Sequence, residues 1–340
     1  MNTFSQLLAS GKPLLADGAT GTNLFKKGLG PGDPPELWNV DNTQAISEHY
    51  ASFVDAGADI ILTNTFGANR YRLKLHQAQD RTIELNRAAA ELAHEVIKAS
   101  GRTVAVAGSI GPTGEILEPS GSLTKDQAIE AFKEQCEGLL AGGVDVFWIE
   151  TMSSAEEIEA AVEACQQFDL PIVFTASIDT NGKTMMGISS AQVVEIAKNL
   201  GTPCACGTNC GVGASEVVAA IEQMNQAREG DNTLALVAKA NCGIPQFVGG
   251  EVTYNGTPEL MAEYAHLALD AGARIIGGCC GTSPEHLAAM RRALDSYQPN
   301  TTPSLELIEE KLGEVSEGMK RQMRGEADPS SSRRGGRRRR

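Results

Sequence analysis

In the stretch DAGARIIGGCCGT, Asp270 to Thr282, a helix end carrying Gly272 runs straight into the apolar pair Ile275-Ile276 and stops at two adjacent thiols set between glycines. Glycine suits a helix C-terminus because it adopts the left-handed backbone with no Cβ clash. A short apolar run bounded by turn residues reads as a buried strand. The same junction recurs as DAGADII at 55–61 and AGGVDVF at 141–147. A helix feeding directly into a buried strand, several times over, implies parallel pairing and a repeating βα unit.

Working outward, eight apolar runs fit that unit: 13–19, 58–66, 103–111, 144–152, 171–179, 202–210, 233–242 and 273–282. Between them lie stretches with apolar residues three and four apart, such as TIELNRAAAELAHEVIKAS and PELMAEYAHLALDAG, which read as amphipathic helices. Nearly continuous apolar strands, buried on both faces, predict an α/β fold of the closed (β/α)8 TIM barrel type in a single domain over residues 1–299. A doubly wound open sheet is the runner-up. Over 300–326 the pattern changes: Leu305, Ile308, Leu312, Val315 and Met319 step by three and four, with Gly313 and Gly318 as interruptions. This predicts a C-terminal amphipathic helix that covers part of the barrel, or else serves a subunit contact in a homo-oligomer or a partner contact.

The formal net charge is -14, yet residues 327–340 carry six arginines and one aspartate, so the remainder stands at -19. An acidic body argues against nucleic-acid binding, whose affinity comes from lysine and arginine neutralising phosphates. The short Ser/Gly/Arg tail reads as disordered and basic. No segment approaches 18 uninterrupted apolar residues, and the amino end lacks the pattern of a secretion signal, so no membrane partner and a cytoplasmic location are expected. Eight cysteines in such a chain point to reduced thiols or metal ligation rather than a disulfide framework.

A parallel barrel carries its reactive groups at the carboxyl ends of its strands. There the sequence offers Asp17, Thr63 to Thr65, Ser109, Glu150, Asp179, Asn209 with Cys210, Lys239 with Asn241 and Cys242, and Cys279 with Cys280. Adjacent cysteines do not readily bridge each other. On a glycine-flanked loop both can instead face one metal, and Cys210, at the end of the sixth strand, is a third ligand. Three thiolates with an open fourth position make a catalytic rather than a structural zinc arrangement. Cys204, Cys206 and Cys210 form a rival set, and Cys242 is a substitute ligand. Cys136 and Cys165, inside helical patterns, read as small buried hydrophobes.

With these residues assembled, the chain resembles the homocysteine S-methyltransferase family, which includes betaine-homocysteine methyltransferase and the homocysteine domain of cobalamin-dependent methionine synthase. The resemblance covers roughly residues 10 to 298 and rests on LLADGATGTNLF, LTNTFGANRYRL, GSIGPTGE, IETM, GTNCG and IIGGCCGT, in the family order. It implies that Cys210, Cys279 and Cys280 hold one zinc ion and that Asp17, Gly18, Ala19, Glu150 and Asn209 bind homocysteine. Asp17 and Glu150 suit the substrate ammonium, and the backbone N–H groups of Gly18 and Ala19 its carboxylate. A thiol bound to zinc is deprotonated, so the implied reaction is attack of a zinc-bound homocysteine thiolate on a donor methyl group, giving methionine. No acid or base on the enzyme is required.

The donor is open at this level. Betaine enzymes place tyrosines where this chain has Gly67 and Thr151, with Trp38 in ELWNV a candidate for one aromatic wall; this departure makes the barrel look more like the methionine synthase module. A corrinoid-bound methyl, as methylcobalamin, would then come from separate corrinoid- or folate-binding partner proteins. Betaine, another methylated onium compound or S-methylmethionine is the small-molecule alternative. From other classes, Lys239 suggests a Schiff-base lyase, GVGASE a weak nucleotide-binding loop, and the thiols a non-catalytic zinc-stabilised module.

Overall fold

The computed structural model of the protein describes residues 1–248 and 251–326; the basic tail expected over 327–340 lies outside them. Eight parallel strands form one sheet: β1 (Leu14–Leu15), β2 (Ile60–Leu62), β3 (Ala105–Ile110), β4 (Val146–Met152), β5 (Ile172–Ala176), β6 (Ala205–Cys210), β7 (Ala235–Ala240) and β10 (Ile275–Gly278). Their order is β1-β10-β7-β6-β5-β4-β3-β2. The two ends meet: Ala16 bridges Ile60 in parallel, the Asp17 N–H donates to the Ile60 carbonyl at 3.0 Å, and the Asp59 N–H to the Leu15 carbonyl at 2.7 Å. The sheet is therefore a (β/α)8 barrel, and all eight predicted runs contribute a strand.

Alternation along the strands separates two cores, as the two-residue period of a strand requires. Leu14, Ile60, Ala107, Trp148, Val173, Val237 and Ile275 fill the barrel, while Leu15, Ile61, Val106, Phe147, Phe174, Leu236 and Ile276 pack under the helices. Gly57, Gly143 and Gly272, at the three repeated junctions, all have positive φ. A Cβ on Gly272 would lie 2.5 Å from Asn225, so glycine is needed there for space as well as for backbone.

Four features were not read from the sequence or differ from its reading. A short helix, Thr3–Ala9, seats Phe4 against the barrel interior and is tied on by the Thr3 N–H donating to Asp145 Oδ1 at 3.1 Å. An antiparallel hairpin, β8 (Pro245–Val248) and β9 (Glu251–Tyr254), is inserted after β7. The helix expected over 300–326 is two, Leu305–Leu312 and Glu317–Met323, broken at Gly313, which has φ +99°. Both pack on the helix Ala214–Ala227, and the first also on Pro258–Asp270. Finally, β1 is only two residues long, and single backbone bonds of Ala16 and Asp17 continue its pairing toward the neighbouring strands.

Among the described residues no helix is long and apolar enough to cross a membrane. Removing the fully buried Phe4 ring should cost roughly 3 kcal/mol, as large-to-small core changes do. Phe4→Ala is expected to lower the unfolding free energy obtained from guanidinium titration by that amount, with the midpoint falling and the slope unchanged.

Candidate functional site

The site lies at the carboxyl ends of the strands, and strand parity puts it there. Ser109, Glu150, Asn209, Lys239 and Cys279 each stand two residues beyond an interior position, Ala107, Trp148, Gly207, Val237 and Gly277 respectively. Register adds proximity: Asn209 pairs with Lys239, which pairs with Gly277.

Cys210, Cys279 and Cys280 come together, with one sulfur from each and all within 4.8 Å of one another. They are the only such His/Cys/Asp/Glu group among the described residues. Cys210 has φ +63° and is followed by Gly211 at φ +69°, where a Cβ would lie 2.3 Å from the Ile178 carbonyl oxygen. A non-glycine residue in this region is a local cost that the surrounding structure must hold in place. The Cys279 N–H donates to Ala240 O at 2.7 Å, and Cys280 O accepts from the Cys242 N–H at 2.9 Å, so β7 fixes the vicinal pair. Tyr254, from β9, stands beside the Cys280 sulfur and influences its ionisation, and its ring lies over Gly281, where any Cβ would clash at 2.4 Å.

The thiols resist ionising together. Cys210 is pushed up to about 12: its bond with Cys279 lowers it, but that with Cys280, and burial, raise it. Cys280 is likewise pushed up to about 12, lowered by its bond with Cys210 and raised by Cys279. Cys279 is driven higher still, first by its bond to Cys210. Three crowded sulfurs that cannot all carry charge unaided are a donor set suited to a soft cation, which neutralises them at once. Beside them Asn241 keeps a buried Oδ1 with no protein partner, while its Nδ2 donates to Gly211 O at 2.8 Å. The residues therefore fit a metal ion.

The rival ligands are elsewhere. Cys204 donates its S–H to Ile172 O at 3.3 Å below the barrel interior, Cys206 lies under the helices, and the Cys242 sulfur faces Gly256 O at 3.4 Å. Cys136 and Cys165 are fully buried with their sulfurs 3.5 Å apart, as small core residues.

Next to the sulfurs is a buried charge cluster. Asp17 Oδ1 accepts from Lys239 Nζ at 2.8 Å and Oδ2 from the Leu62 N–H at 2.7 Å, both side chains being 2% exposed. Burial raises Asp17 above the usual carboxylate range, opposed by the charge and hydrogen bond of Lys239 and by the Leu62 N–H. Glu150 stands at a register shift between β4 and β5, which aims it inward, and Oε1 accepts from Ser109 Oγ at 2.5 Å. Burial raises Glu150 above the usual carboxylate range, opposed by Lys239. Burial alone would lower Lys239, but Asp17 and Glu150 hold it above its ordinary value. An ammonium so held is not the free amine that a Schiff base needs, which removes the lyase reading.

Asn209 is fully buried and fully engaged. Its Oδ1 accepts from the Thr151 N–H at 2.8 Å and Thr175 Oγ1 at 2.6 Å; its Nδ2 donates to Thr151 Oγ1 at 2.7 Å and to the Cys279 sulfur at 3.7 Å. It thereby holds Thr151 at φ +64° beside Glu150 and steadies a sulfur. Of the two backbone donors expected in the first turn, the Ala19 N–H is already taken by Thr282 O at 3.1 Å, which leaves Gly18. A Cβ on Gly18 would lie 2.8 Å from that same carbonyl oxygen.

A family model described as homocysteine S-methyltransferase matches residues 14–294. Among solved structures, the homocysteine methyltransferase MmuM from Escherichia coli is similar in its oxidised and metallated forms, each at 26% identity and TM-score 0.70, covering 86% of this chain and 99% of that one. A methyltransferase from Methanosarcina mazei shares the fold at 12% identity and TM-score 0.55, over 86% of this chain and 97% of that one.

Replacing Asn209 by alanine strands the Thr151 N–H and the Thr175 hydroxyl in a buried site. Asn209→Ala should lose roughly 2 to 3 kcal/mol of stability in urea unfolding, against under about 0.5 kcal/mol for a surface change such as Asn300→Ala.

Proposed function

The chain belongs to the homocysteine S-methyltransferase family and is a methyltransferase, and from that premise we propose that it converts homocysteine to methionine with one zinc ion held by Cys210, Cys279 and Cys280. The observation that carries this reading is the adjacency of two complementary sites. Three sulfurs converge beside a buried cluster of two carboxylates and one ammonium.

Zinc at the three sulfurs would make the substrate thiol a stronger acid, lowering its pKa enough to present its sulfur as the nucleophile at neutral pH. The protein does the rest by binding and orientation. Glu150 and Asp17 receive the ammonium; Asp17 is able to accept again, since each carboxylate oxygen has two lone pairs. The Gly18 N–H receives the carboxylate. Asn209 keeps Glu150 and Cys279 in fixed relation, so the amino-acid end and the sulfur end of one substrate are gripped together, and the sulfur would attack the methyl carbon in line as the bond from that carbon to the donor breaks and the demethylated donor leaves with the electron pair. Supplying only three ligands from His, Cys, Asp and Glu suits an open position and argues against a closed structural zinc.

For the donor, Gly67 and Thr151 bear on the choice. The Gly67 N–H donates to Glu36 Oε1 at 2.7 Å, and an added Cβ would meet that oxygen at the same distance, so a larger side chain here would have to displace the Glu36 carboxylate. Thr151 is committed to Asn209. Trp38 is partly buried against the helix-side core. With no aromatic box at these positions, a donor other than betaine is favoured: a sulfonium such as S-methylmethionine, or a methyl delivered on a corrinoid.

Two measurements test the proposal. Zinc-loaded protein incubated with homocysteine and S-methylmethionine, betaine or methylcobalamin should form methionine with at least one donor other than betaine. No methionine from any donor would defeat the catalytic reading, and the triple change of Cys210, Cys279 and Cys280 to alanine should abolish both product and stoichiometric zinc. Because all three thiols hold their protons at neutral pH, zinc must displace them. Its apparent affinity should rise with pH, by up to roughly 1,000-fold per unit between pH 6 and 8, measured by competition with a chromophoric chelator. A flat profile would rule out ligation by the three thiols.

A further inference from the structure

We propose that Lys239 determines substrate specificity by fixing the net charge of the amino-acid pocket at one negative, the charge that a single substrate ammonium completes. The inference rests on the homocysteine reading above and deepens it, since it concerns the class of thiol that the pocket admits.

The argument is a count made under desolvation. Asp17 and Lys239 form a 2.8 Å ion pair with both side chains 2% exposed, and the groups whose charge acts on Glu150 are Lys239, Asp17 and, on the sulfur side, Cys279. Two carboxylates and one ammonium leave one uncompensated negative charge in a buried space, where an unpaired charge is costly. Lys239 is also held so that it cannot leave. Its stem runs along Gly277, whose added Cβ would lie 3.0 Å from the lysine Cγ, and its Nζ is 5.7 Å from the centroid of the buried Trp148 ring. Without Lys239 the pocket would hold two close carboxylates that cannot both stay ionised, and its charge would then follow the solution rather than the fold. With Lys239 in place the vacancy has one value and one position, beside Glu150. An amino-acid thiol fills it; a thiol lacking the ammonium leaves it open.

The test separates the charge count from simple contact. Calorimetric titration of the zinc-loaded full chain compares L-homocysteine with 4-mercaptobutanoate, which keeps the thiol and carboxylate but lacks the ammonium, so that the ratio of the two affinities isolates the ammonium. The wild type should prefer homocysteine by at least about 30-fold, the range of buried charge-assisted hydrogen bonds. In Asp17→Asn, Lys239 faces Glu150 alone, the pocket becomes neutral, and the preference should fall to within about 3-fold. In Asp17→Asn/Lys239→Met, Glu150 is the one ionisable group of the three that remains, so a substrate ammonium again meets one carboxylate with no competing lysine, and the preference should recover to about 10-fold or more. A double variant that melts cooperatively yet stays as unselective as Asp17→Asn would overturn the proposal, because Asp17 would then act by contact and not through the count. Glu150→Gln and Glu150→Gln/Lys239→Met repeat the comparison if Asp17→Asn does not fold. A wild type that binds neither thiol, or both equally, would instead defeat the homocysteine reading itself.

Discussion

The Asp17 carboxylate sits where the barrel closes, and one side chain there serves both the fold and the site. Its Oδ2 takes the N–H of Leu62 at the end of β2, its Oδ1 takes Lys239 from β7, and its own carbonyl accepts from the Gly278 N–H of β10 at 3.0 Å. The tie matters because β1 contributes only two residues of ladder, the weakest stave of the sheet. Burying an ion pair brings little net stability, since desolvation offsets most of the attraction, but losing one partner leaves a bare charge and costs several kcal/mol. The pair is better understood as a device that specifies position: β1, β2, β7 and β10 hold one relative arrangement at the rim, and the neighbouring carboxylate and sulfurs inherit it.

From that rim the site is built by strand geometry and little else. Glu150, Asn209, Lys239 and Cys279 come from four different strands, yet parity turns all of them toward the axis. Two residues depart from ordinary backbone, Cys210 at φ +63° and Thr151 at φ +64°, and these flank Asn209 in space. The local cost falls where a sulfur and a carboxylate must be aimed, and the Asn209 amide, with four hydrogen-bond partners, holds the arrangement in place.

The later parts of the chain brace the loops around this centre. Ser316 donates through its N–H and hydroxyl to the Glu216 carboxylate at 2.9 and 2.6 Å, and Glu216 lies in the first turn of the helix that follows Cys210. Gln322 donates to the carbonyls of Asn181 and Gly182 at 3.1 and 3.0 Å, in the loop after β5. The C-terminal segment thus covers the barrel as its apolar spacing predicted, with Ile308, Val315 and Met319 buried, and links the loops of two neighbouring strands.

By itself the sequence determined the repeating unit and the eight strands, and it singled out the three thiols that the barrel brings together, because helix-end glycines, apolar runs and thiols at run ends are local patterns whose period is set by backbone geometry. It also held an unused clue: Lys239 lies two residues after Val237, an interior parity that marks a buried cation. Only the tertiary structure decided what that cation meets, since Asp17 is 222 residues away and parity names a direction but no partner. The same limit explains Asn209, whose place at a strand end marks the rim but not the four partners its amide meets, and Tyr254, whose hairpin lacks an apolar run long enough to announce it. Strand and helix periods are written residue by residue, whereas charge pairing and hydrogen-bond saturation depend on which distant residues the closed barrel brings together.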